Sequence, residues 1–424
     1  MDNFKWSNDQ ALALEKLQAF MESEDEIFLL YGSAGSGKTR LTQELPRLLK
    51  GLEMVATAPT HKACHVLRTV LPDTEVMTIH KFLGLKPKKA GGKSSLVRNR
   101  NYDPSEWVNV QVVVLDEASM VNSQLMEYVH QDIQSWGRQY ILVGDAYQLP
   151  PVGEIKSACF LLNLPDRCKA ELKEIVRQAS DNPIIAVATQ IRDALIASKE
   201  PPLKGNVSTA GVGVHLLKND QSGKVLESYV LSEGFKERPD SLRLLAYRNE
   251  TVVKLNQTVR NMLGEDTSLP FSVGDVVTAK EAWTVQDEVL IMTGDEFTIA
   301  RVDPSDHPTY SQLKGYLVLL EEMPEVPVFV LDYAKSIGAY KATMDTLRQG
   351  AIKSGDWRPY YALDEYYADL RPCYAMTVHQ SQGSTYDNVM VDFYDIYVNK
   401  KLSEADKCFY VAVTRARENV YILV

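Results

Sequence analysis

The chain has 424 residues, a formal net charge of −10, a hydrophobic fraction of 45% and five cysteines. Its length exceeds the size at which one core keeps growing, so two or more domains are expected. The acidic balance excludes a uniformly basic coat for nucleic acid, and any such contact must come from local patches. The cysteines lack paired spacing, which indicates reduced thiols. The lack of a long apolar run or a signal-peptide pattern predicts a cytoplasmic protein with no membrane span.

Short β-rich runs alternate with helical stretches over the first part of the chain, from Glu26 to about Asp181. Because the runs are apolar on both faces, they suit a buried parallel sheet covered by helices. The predicted strands are Ile27–Tyr31, Met54–Ala58, Val112–Leu115 and Tyr140–Gly144. This part of the chain is therefore predicted to be an α/β domain.

A phosphate-binding pattern, G-x-x-x-x-G-K-[ST], follows the first predicted strand directly. It consists of Gly32, Ser33, Ala34, Gly35, Ser36, Gly37, Lys38 and Thr39. The glycines let successive backbone N–H groups turn toward a triphosphate, and the next helix points its positive N-terminal dipole at the same anion. Lys38 would reach the β- and γ-phosphates, and Thr39 would bind Mg²⁺. A nucleotide is therefore the first predicted ligand.

The basic residues are concentrated in one early segment. Between Lys81 and Asn101 the chain carries seven basic residues and no acidic one, with Gly91 and Gly92 in the middle. This pattern predicts a basic β-hairpin or loop that projects from a globular body. Composition alone leaves a merely solvated loop open.

Two further polar motifs follow predicted strands. Asp116 and Glu117 end the strand Val112–Leu115, where the first can hold Mg²⁺ through water and the second can polarise the water that attacks a γ-phosphate. After the next strand, Gln148 has the chemistry to hydrogen-bond the γ-phosphate and respond to its loss, and Tyr147 could face a base. Together these motifs predict ATP hydrolysis.

A second set of strands occurs late in the chain. Leu242–Tyr247, Val389–Phe393 and Val420–Val424 are short, apolar and interleaved with helical segments, which predicts a second α/β domain assembled from two separated pieces. Between these pieces, Val273–Leu320 alternates with turn signals as a small β-barrel insertion would, and Asp332–Gly355 is predicted to be helical.

The motifs and their order resemble those of superfamily 1 helicases, and among these the superfamily 1B branch, with RecD-like and phage Dda-like members the most similar. The segments that carry the resemblance are 32–39, 58–63, 78–80, 116–119, 144–151, 378–383 and 410–417. The resemblance implies two RecA-like parallel-sheet domains. The first would span residues 1–180 and carry a β-hairpin pin at 84–108. The second would span 181–274 and 371–424, and an SH3-like β-barrel would be inserted at 275–370.

The resemblance also implies roles at the nucleotide. Gln10 corresponds to the glutamine that reads the adenine edge, and Arg177 and Arg415 correspond to two arginines that reach the triphosphate from opposite sides of a cleft. Chemistry supports such a role independently of the family, since an arginine from a second domain neutralises transition-state charge only when the cleft closes. Gln382 and Gly383 would couple DNA contact to ATP.

Single-stranded DNA is the implied partner, bound across the tops of both domains. The implied contact residues are Pro59, Thr60, His61, His80, Tyr147, His379, Gln380 and Ser381. Binding to phosphates and stacked bases would be salt-sensitive and largely independent of sequence. In the hairpin, the apolar or aromatic candidates for a strand-splitting wedge are Leu96, Val97 and Tyr102.

The sequence therefore predicts an ATP-dependent DNA helicase with Mg²⁺ that moves 5′ to 3′, unwinds fork DNA and acts as a monomer in a bacterial or phage-infected cytoplasm. Its expected partners include single-strand-binding or replication proteins, in replication, recombination or repair. Three alternatives stay open at this point: a non-motor role in which ATP turnover serves partner assembly, an RNA-directed helicase, and a small-molecule kinase. The kinase gives no reason for Gln148 together with Arg415.

Overall fold

The computed structural model describes residues 6–90, 93–99, 102–176, 182–266, 269–285 and 288–424. The chain divides into two compact units. The first consists of residues 1–222, 243–248 and 377–424, and the second of residues 223–242 and 249–376. No helix in the described ranges is both long and apolar enough to cross a membrane.

The first half of the first unit is an α/β layer built on a parallel sheet. Its elements are α1 (Asn8–Met21), β1 (Ile27–Gly32), α2 (Lys38–Leu48), β2 (Met54–Ala58), α3 (His61–Val70), β3 (Glu75–Thr78), α4 (Ile79–Phe82), β4 (Leu85–Ala90), β5 (Lys93–Arg98), β6 (Val112–Leu115), α5 (Ser123–Trp136), β7 (Gln139–Gly144) and β8 (Lys169–Leu172). Six of these strands form a sheet in the order β3-β2-β6-β7-β1-β8. Their pairings are parallel, as the four apolar runs predict.

The sheet is parallel because its strands are apolar on both faces and helices cover both. Leu30, Val114 and Ile141 contribute to the core on one face. Leu29 and Val113 contribute to the core on the other. Such two-sided burial is what distinguishes a covered parallel strand from a half-exposed antiparallel one.

The basic segment forms the predicted antiparallel hairpin, in which β4 pairs with β5 from Leu85 opposite Arg98 to Ala90 opposite Lys93. The hairpin is held at its β5 strand by α5. The backbone of Leu96 exchanges two hydrogen bonds of 3.2 Å with the Gln124 side chain, and the Tyr128 hydroxyl donates to its carbonyl at 3.1 Å.

All three wedge candidates lie away from the hairpin turn, since Leu96 and Val97 pair with Pro87 and Lys86 and Tyr102 follows β5. Leu96 packs against the core under the sheet, and the Tyr102 hydroxyl donates to the Phe82 carbonyl at the base of the hairpin. Val97 is half-buried. Residues 91, 92, 100 and 101 lie outside the described ranges.

The second sheet of the first unit is built from late strands, as the sequence predicts. Helix α6 (Pro183–Ile196) follows the first sheet in the chain and leads into the second. The elements of the second sheet are β9 (Asn206–Val207), β10 (Gly213–Leu217), β11 (Leu242–Ala246), β19 (Ala375–Thr377), β20 (Tyr386–Asp392), α12 (Phe393–Ile396), α13 (Leu402–Val413) and β21 (Ala416–Leu423). The strand order is β19-β11-β20-β21-β10-β9. The β20–β21 and β10–β21 pairs are parallel, and the edge pair β9–β10 is antiparallel.

The second unit contains an antiparallel sheet and a helical hairpin. Its elements are α7 (Asn219–Val230), α8 (Glu233–Glu237), α9 (Asn249–Met262), β12 (Val276–Ala279), β13 (Trp283–Val285), β14 (Glu288–Ile291), β15 (Glu296–Asp306), β16 (Lys314–Leu320), β17 (Met323–Leu331), α10 (Tyr333–Ser354), α11 (Arg358–Asp364) and β18 (Leu370–Pro372). Five strands form a sheet in the order β17-β16-β15-β12-β18, and β13 and β14 pair separately.

Most of the aromatic residues of the second unit pack inside it. Trp283 is buried and donates its indole N–H to the Glu365 carbonyl at 2.8 Å. Tyr366 and Tyr367 pack around His307, with ring centroids 4.3 and 6.0 Å away. By contrast, Trp357 and Tyr361, at the start of α11, stay exposed. Core packing therefore accounts for Trp283, Tyr366 and Tyr367.

A buried ion pair fixes the end of α5 against the first sheet. The guanidinium of Arg138 donates to an Asp132 carboxylate oxygen at 2.6 Å and to the carbonyls of Trp107 and Val110. The other Asp132 oxygen accepts a 2.6 Å hydrogen bond from the hydroxyl of Tyr140 in β7. Both charged side chains are almost fully buried.

Asp132→Ala is expected to destabilise the first unit by about 3–5 kcal/mol, because it leaves the Arg138 guanidinium buried without its counter-charge. Urea unfolding followed by tryptophan fluorescence checks this. Glu127→Ala, at an exposed position of the same helix, is the matched control and is expected to change stability by less than about 0.5 kcal/mol. Equal unfolding midpoints for the two variants would contradict the role of the ion pair.

Candidate nucleotide site

Three polar loops meet because of the strand order of the first sheet. β7 lies between β1 and β6, and all three strands are parallel. Their carboxyl ends therefore lie side by side at one edge of the sheet, where ligands of open α/β sheets bind. The phosphate-binding loop follows β1, Asp116 and Glu117 follow β6, and Asp145 to Gln148 follow β7. The segment from Pro59 follows β2 at the same edge.

The phosphate-binding loop has the backbone geometry that its glycines allow. Gly37 caps α2 with a φ of 87°, in the left-handed region that favours glycine. A Cβ on Gly37 would lie 2.2 Å from the Gln10 amide nitrogen, so no larger residue fits. The Lys38 ammonium donates to the carbonyls of Gly32 and Ser33 at 2.7 and 3.0 Å.

Gln10 touches this loop directly. It completes a capping box with Ser7 at the start of α1, and its side-chain nitrogen donates to the Ser36 carbonyl at 3.1 Å. The side chain is buried. The contact places Gln10 beside the loop, as the resemblance implies, and its role in reading adenine stays a prediction.

The acidic pair is held in an unfavourable state. Burial, followed by the charge of Glu117, raises the pKa of Asp116 to about 7, while the backbone N–H of Glu117 and the Lys38 ammonium oppose the rise. That N–H donates to an Asp116 oxygen at 2.9 Å. Glu117 has a φ of 53°, which a non-glycine residue adopts only at a cost. A crowded, strained carboxylate pair is typical of a functional site rather than of a surface.

The loop after β7 leaves one acceptor without a partner. The side-chain oxygen of Gln148 is buried and makes no hydrogen bond in the described part of the structure. The Tyr147 backbone N–H donates to Asp145 at 2.9 Å, which fixes the loop. Because an unpaired buried amide oxygen is costly, Gln148 is suited to a donor that arrives with a ligand.

A tyrosine from the second sheet's helix α13 reaches the phosphate-binding loop. The Tyr410 hydroxyl accepts a 2.9 Å hydrogen bond from the Ala34 backbone N–H and donates a 2.8 Å hydrogen bond to Asp145. Tyr410 and Asp145 are each only 1% exposed. Tyr410 belongs to one of the motif segments, but sequence reasoning assigned it no role because nothing in the chain shows that α13 lies on this loop.

An arginine that sequence reasoning also missed makes a second contact. Arg192, near the end of α6, donates from its terminal nitrogen to the Ser33 hydroxyl at 2.8 Å. No motif surrounds it, and its only signal in the sequence is that it follows the buried face of a helix formed by Ile184, Val187, Ala188 and Ile191. Helices α6 and α13 pack against each other, so the contacts of Arg192 and Tyr410 with the phosphate-binding loop come from one pair of packed helices.

Of the two predicted arginines, only Arg415 lies among the described residues, and Arg177 lies outside them. Arg415 is buried, and its guanidinium donates to the carbonyls of Val411 and Ser384 and to the Thr414 hydroxyl. In this state Arg415 is engaged within its own segment, and its role toward a triphosphate stays a prediction.

The coupling residues Gln382 and Gly383 lie between the two sheets' loops. The Gln382 amide donates to the Leu149 carbonyl at 2.8 Å. Gly383 has a φ of 71°, and a Cβ added there would lie 3.4 Å from the Thr60 hydroxyl and 3.9 Å from Glu117 Cγ. One turn of the second sheet therefore contacts the segment after β7 and lies close to the segments after β2 and β6.

The predicted DNA-contacting residues of the first sheet differ in how exposed they are. Thr60 caps α3 by accepting from the Ala63 N–H, Pro59 is half-buried, and His61 is exposed. His80 is more enclosed: its Nδ1 is buried without a partner among the described residues, and burial lowers its pKa to about 4. His80 is therefore a neutral side chain at physiological pH.

The predicted DNA-contacting residues of the second sheet also differ in how exposed they are. Gln380 is exposed, although its side-chain oxygen accepts from the hydroxyl and N–H of Thr377. His379 packs against Tyr247 at a ring distance of 5.9 Å, and burial lowers its pKa. Ser381 is fully buried, with its hydroxyl donating to Val378. Only Gln380 of the three has an open surface, and the three DNA contacts stay predictions.

Asp116→Asn is expected to raise the thermal unfolding midpoint of the nucleotide-free protein at pH 8. A carboxyl whose folded pKa is raised holds its proton more tightly when folded, so ionisation costs stability as the pH rises from about 4 to about 7 and above. The advantage of the variant should shrink as the pH falls toward 4. Melting curves in EDTA test this, with Asp73→Asn as the exposed control. A pH-independent difference between Asp116→Asn and the parent chain would contradict it.

Known proteins are similar to this chain along nearly its whole length, and two family models match parts of it. A family model described as an AAA domain matches residues 6–200, and one described as a UvrD-like helicase C-terminal domain matches residues 372–423. The ATP-dependent DNA helicase Pif1 of Bdellovibrio bacteriovorus is 24% identical, over 97% of this chain and 85% of that protein. The helicase RRM3 of Saccharomyces cerevisiae is 24% identical, over 91% of this chain and 60% of that protein.

Solved structures agree on the fold. The structure of Bacteroides Pif1 bound to single-stranded DNA matches with a TM-score of 0.51 and 16% identity, over 99% of this chain and 92% of that one. The chain is therefore similar to Pif1 helicases along nearly its whole length, and it shares the fold of the solved Pif1 structures.

Proposed function

We propose that this chain is an ATP-dependent DNA helicase that translocates 5′ to 3′ on single-stranded DNA and unwinds duplex DNA, in replication, recombination or repair. One observation carries most of the argument. Tyr410, on the helix that precedes the last strand of the second sheet, is hydrogen-bonded to the Ala34 N–H in the phosphate-binding loop of the first. A small-molecule kinase does not need such a contact, whereas a motor needs its second sheet to respond to the nucleotide.

The residues at the sheet edge fit the hydrolysis step. Lys38 and the loop amides would hold the triphosphate, and Glu117 would orient and polarise the attacking water. The amide nitrogen of Gln148 would donate to the γ-phosphate, and its buried oxygen, which lacks a partner among the described residues, would accept a hydrogen bond from the attacking water. Arg177 and Arg415 would complete the charge balance when the two sheets approach. Gln10 would contact the adenine.

Mg²⁺ fits the same residues. The ionised Asp116 carboxylate has little compensating charge, since burial and Glu117 both raise its pKa. Together with the Thr39 hydroxyl it offers the hard oxygen donors that Mg²⁺ takes alongside phosphate oxygens. The ion would supply charge neutralisation at the phosphates.

DNA would cross the carboxyl edges of both sheets. Thr60, His61 and Gln380 are the best placed of the predicted contacts, because each lies at a loop after a strand. Gly383 lies close to both Thr60 and Glu117. A shift of the loop that carries Thr60 would therefore change the surroundings of the catalytic carboxylate. This contact supports coupling of DNA binding to hydrolysis.

We assign the hairpin β4–β5 as the strand-splitting pin and the five-stranded antiparallel sheet as the SH3-like insertion of RecD-like and Dda-like members. The pin's packing on α5 supports this, because a wedge must be braced to part a duplex. Leu96 and Tyr102 serve as anchors in this arrangement, and Val97 pairs with Lys86, farther from the turn than Leu96, so none of the three is assigned as the wedge. The enzyme is proposed to act as a monomer in the cytoplasm of a bacterial or phage-infected cell.

Glu117→Gln is expected to lower the ATP hydrolysis rate by at least about 100-fold, since it removes the group that polarises the attacking water. Binding of labelled single-stranded DNA should be unchanged. A coupled ATPase assay and fluorescence anisotropy measure the two effects. The control is Glu127→Ala, at an exposed position of α5. Undiminished hydrolysis in Glu117→Gln would refute the role of this residue.

Strand displacement on tailed duplexes tests the activity and its direction. We expect unwinding of a duplex with a 5′ single-stranded tail and none with a 3′ tail, because the enzyme must load on the strand along which it moves 5′ to 3′. Unwinding of only the 3′-tailed duplex would overturn the polarity. Stimulation of ATP hydrolysis by poly-U but not by poly-dT would favour an RNA-directed helicase.

A further inference from the structure

The phosphate-binding loop has a charged neighbour that none of the motifs includes. Arg192 lies near the end of α6 and donates from one terminal nitrogen to the Ser33 hydroxyl at 2.8 Å. Its side chain is only 14% exposed. Ser33 is the second residue of the loop, so the guanidinium lies next to the segment that wraps a triphosphate.

The position of Arg192 is fixed by neighbouring side chains rather than by chance packing. The other terminal nitrogen and Nε both donate to one Asp193 oxygen, at 2.7 and 3.0 Å. Asn182 caps the start of α6 by accepting from the N–H groups of Ile184 and Ile185, and Pro183 occupies the first turn. The helix is therefore well anchored where it presents Arg192 to the loop.

The charge of Arg192 also acts on the tyrosines beside the loop. Burial raises the pKa of both Tyr410 and Tyr147, and in each case Arg192 opposes the rise. The guanidinium therefore lies within electrostatic reach of the hydroxyl that occupies the Ala34 amide. Both Tyr410 and Arg192 come from the packed pair α6 and α13.

A hydroxyl is a weak partner for a guanidinium. Hydrogen bonds from arginine to phosphate join two charges and are about twice as strong as bonds to neutral acceptors. The described contacts account for three of the five N–H donors of Arg192. A terminal phosphate that enters the loop therefore offers this side chain a better acceptor than the Ser33 oxygen.

We propose that Arg192 is a further ATP-binding residue, which rests on Ser33 in the absence of nucleotide and binds the γ-phosphate of ATP. This role deepens the proposed function and rests on it, because only an enzyme of nucleoside triphosphates gains from such a contact. Arg192 would make α6 a nucleotide-responsive element in addition to the predicted Arg177 and Arg415. It would also favour ATP over ADP, since ADP lacks the γ-phosphate.

The competing explanation is that Arg192 only braces the loop through Ser33. The two explanations differ in what Ser33→Ala does. A brace is lost equally when either partner is removed, so Ser33→Ala would then reproduce Arg192→Ala. A phosphate ligand is lost only when the arginine is removed, so Arg192→Ala would weaken binding of ATP relative to ADP, whereas Ser33→Ala would change the binding of both nucleotides by the same factor.

The test measures binding of a fluorescent non-hydrolysable ATP analogue and of fluorescent ADP to the full chain with Mg²⁺ and no DNA. We expect Arg192→Ala to weaken binding of the ATP analogue about 10- to 100-fold, the range for losing a hydrogen bond to a charged group. ADP binding in the same variant should change by less than about threefold, and Ser33→Ala, a change within the phosphate-binding loop, should alter the binding of both ligands by the same factor. Arg192→Lys should fall between Arg192→Ala and the parent chain.

Arg301→Ala is the matched control, since Arg301 also pairs with a nearby aspartate, Asp303, but lies in β15 of the second unit. Thermal unfolding verifies that each variant folds. If Arg192→Ala does not fold, Arg192→Lys and Arg192→Gln replace it in the binding measurements. Equal weakening of ATP analogue and ADP, or equal effects of Ser33→Ala and Arg192→Ala, would overturn the proposal. If the parent chain binds ATP but neither hydrolyses it with DNA nor unwinds duplexes, the proposed function fails instead.

Discussion

The arrangement around the candidate site follows from one constraint: the polar groups of the phosphate-binding loop must be satisfied whether or not a phosphate is present. A buried backbone N–H or ammonium without an acceptor is costly. The protein supplies substitutes for the phosphate. The Ala34 N–H donates to the Tyr410 hydroxyl, and the Lys38 ammonium donates to the carbonyls of Gly32 and Ser33. Each of these contacts uses a group that a triphosphate would otherwise engage.

This constraint links the two sheets of the first unit. The Tyr410 hydroxyl comes from α13, which leads into the last strand of the second sheet, and it also binds Asp145 after β7. The Ala34 N–H cannot donate at full strength to both the tyrosine and a phosphate oxygen, and the charged oxygen is the stronger acceptor. Nucleotide binding therefore changes the balance of contacts that hold α13. A motor needs such a link, since chemistry at one sheet must be converted into movement of the other.

The sequence predicted the parts of the site that depend on local pattern and failed where the signal is tertiary. β2 and β6 have the bounds that were predicted, because apolar runs with polar ends define a buried strand by themselves. Neighbouring strand ends brought Asp116 and Gln148 to the phosphate-binding loop for the same reason. Arg192 and Tyr410 could not be found in this way, since their roles depend on how α6 and α13 pack. Local composition likewise could not distinguish a buried ring such as Trp283 from an exposed one such as Trp357.

The acidic pair shows why the site cannot be explained as a device for stability. Glu117 has a left-handed backbone conformation, and burial next to it raises the pKa of Asp116. Both features cost free energy in the nucleotide-free protein, and the Glu117 N–H and the Lys38 ammonium offset only part of the cost at Asp116. The surrounding sheet, buried on both faces, is rigid enough to hold them in place. A cation that binds Asp116 removes the electrostatic part of this cost, so ion and nucleotide binding release strain that folding has stored. The fold creates the unfavourable pair, and the proposed Mg²⁺ ion would bind more tightly because the pair is unfavourable without it.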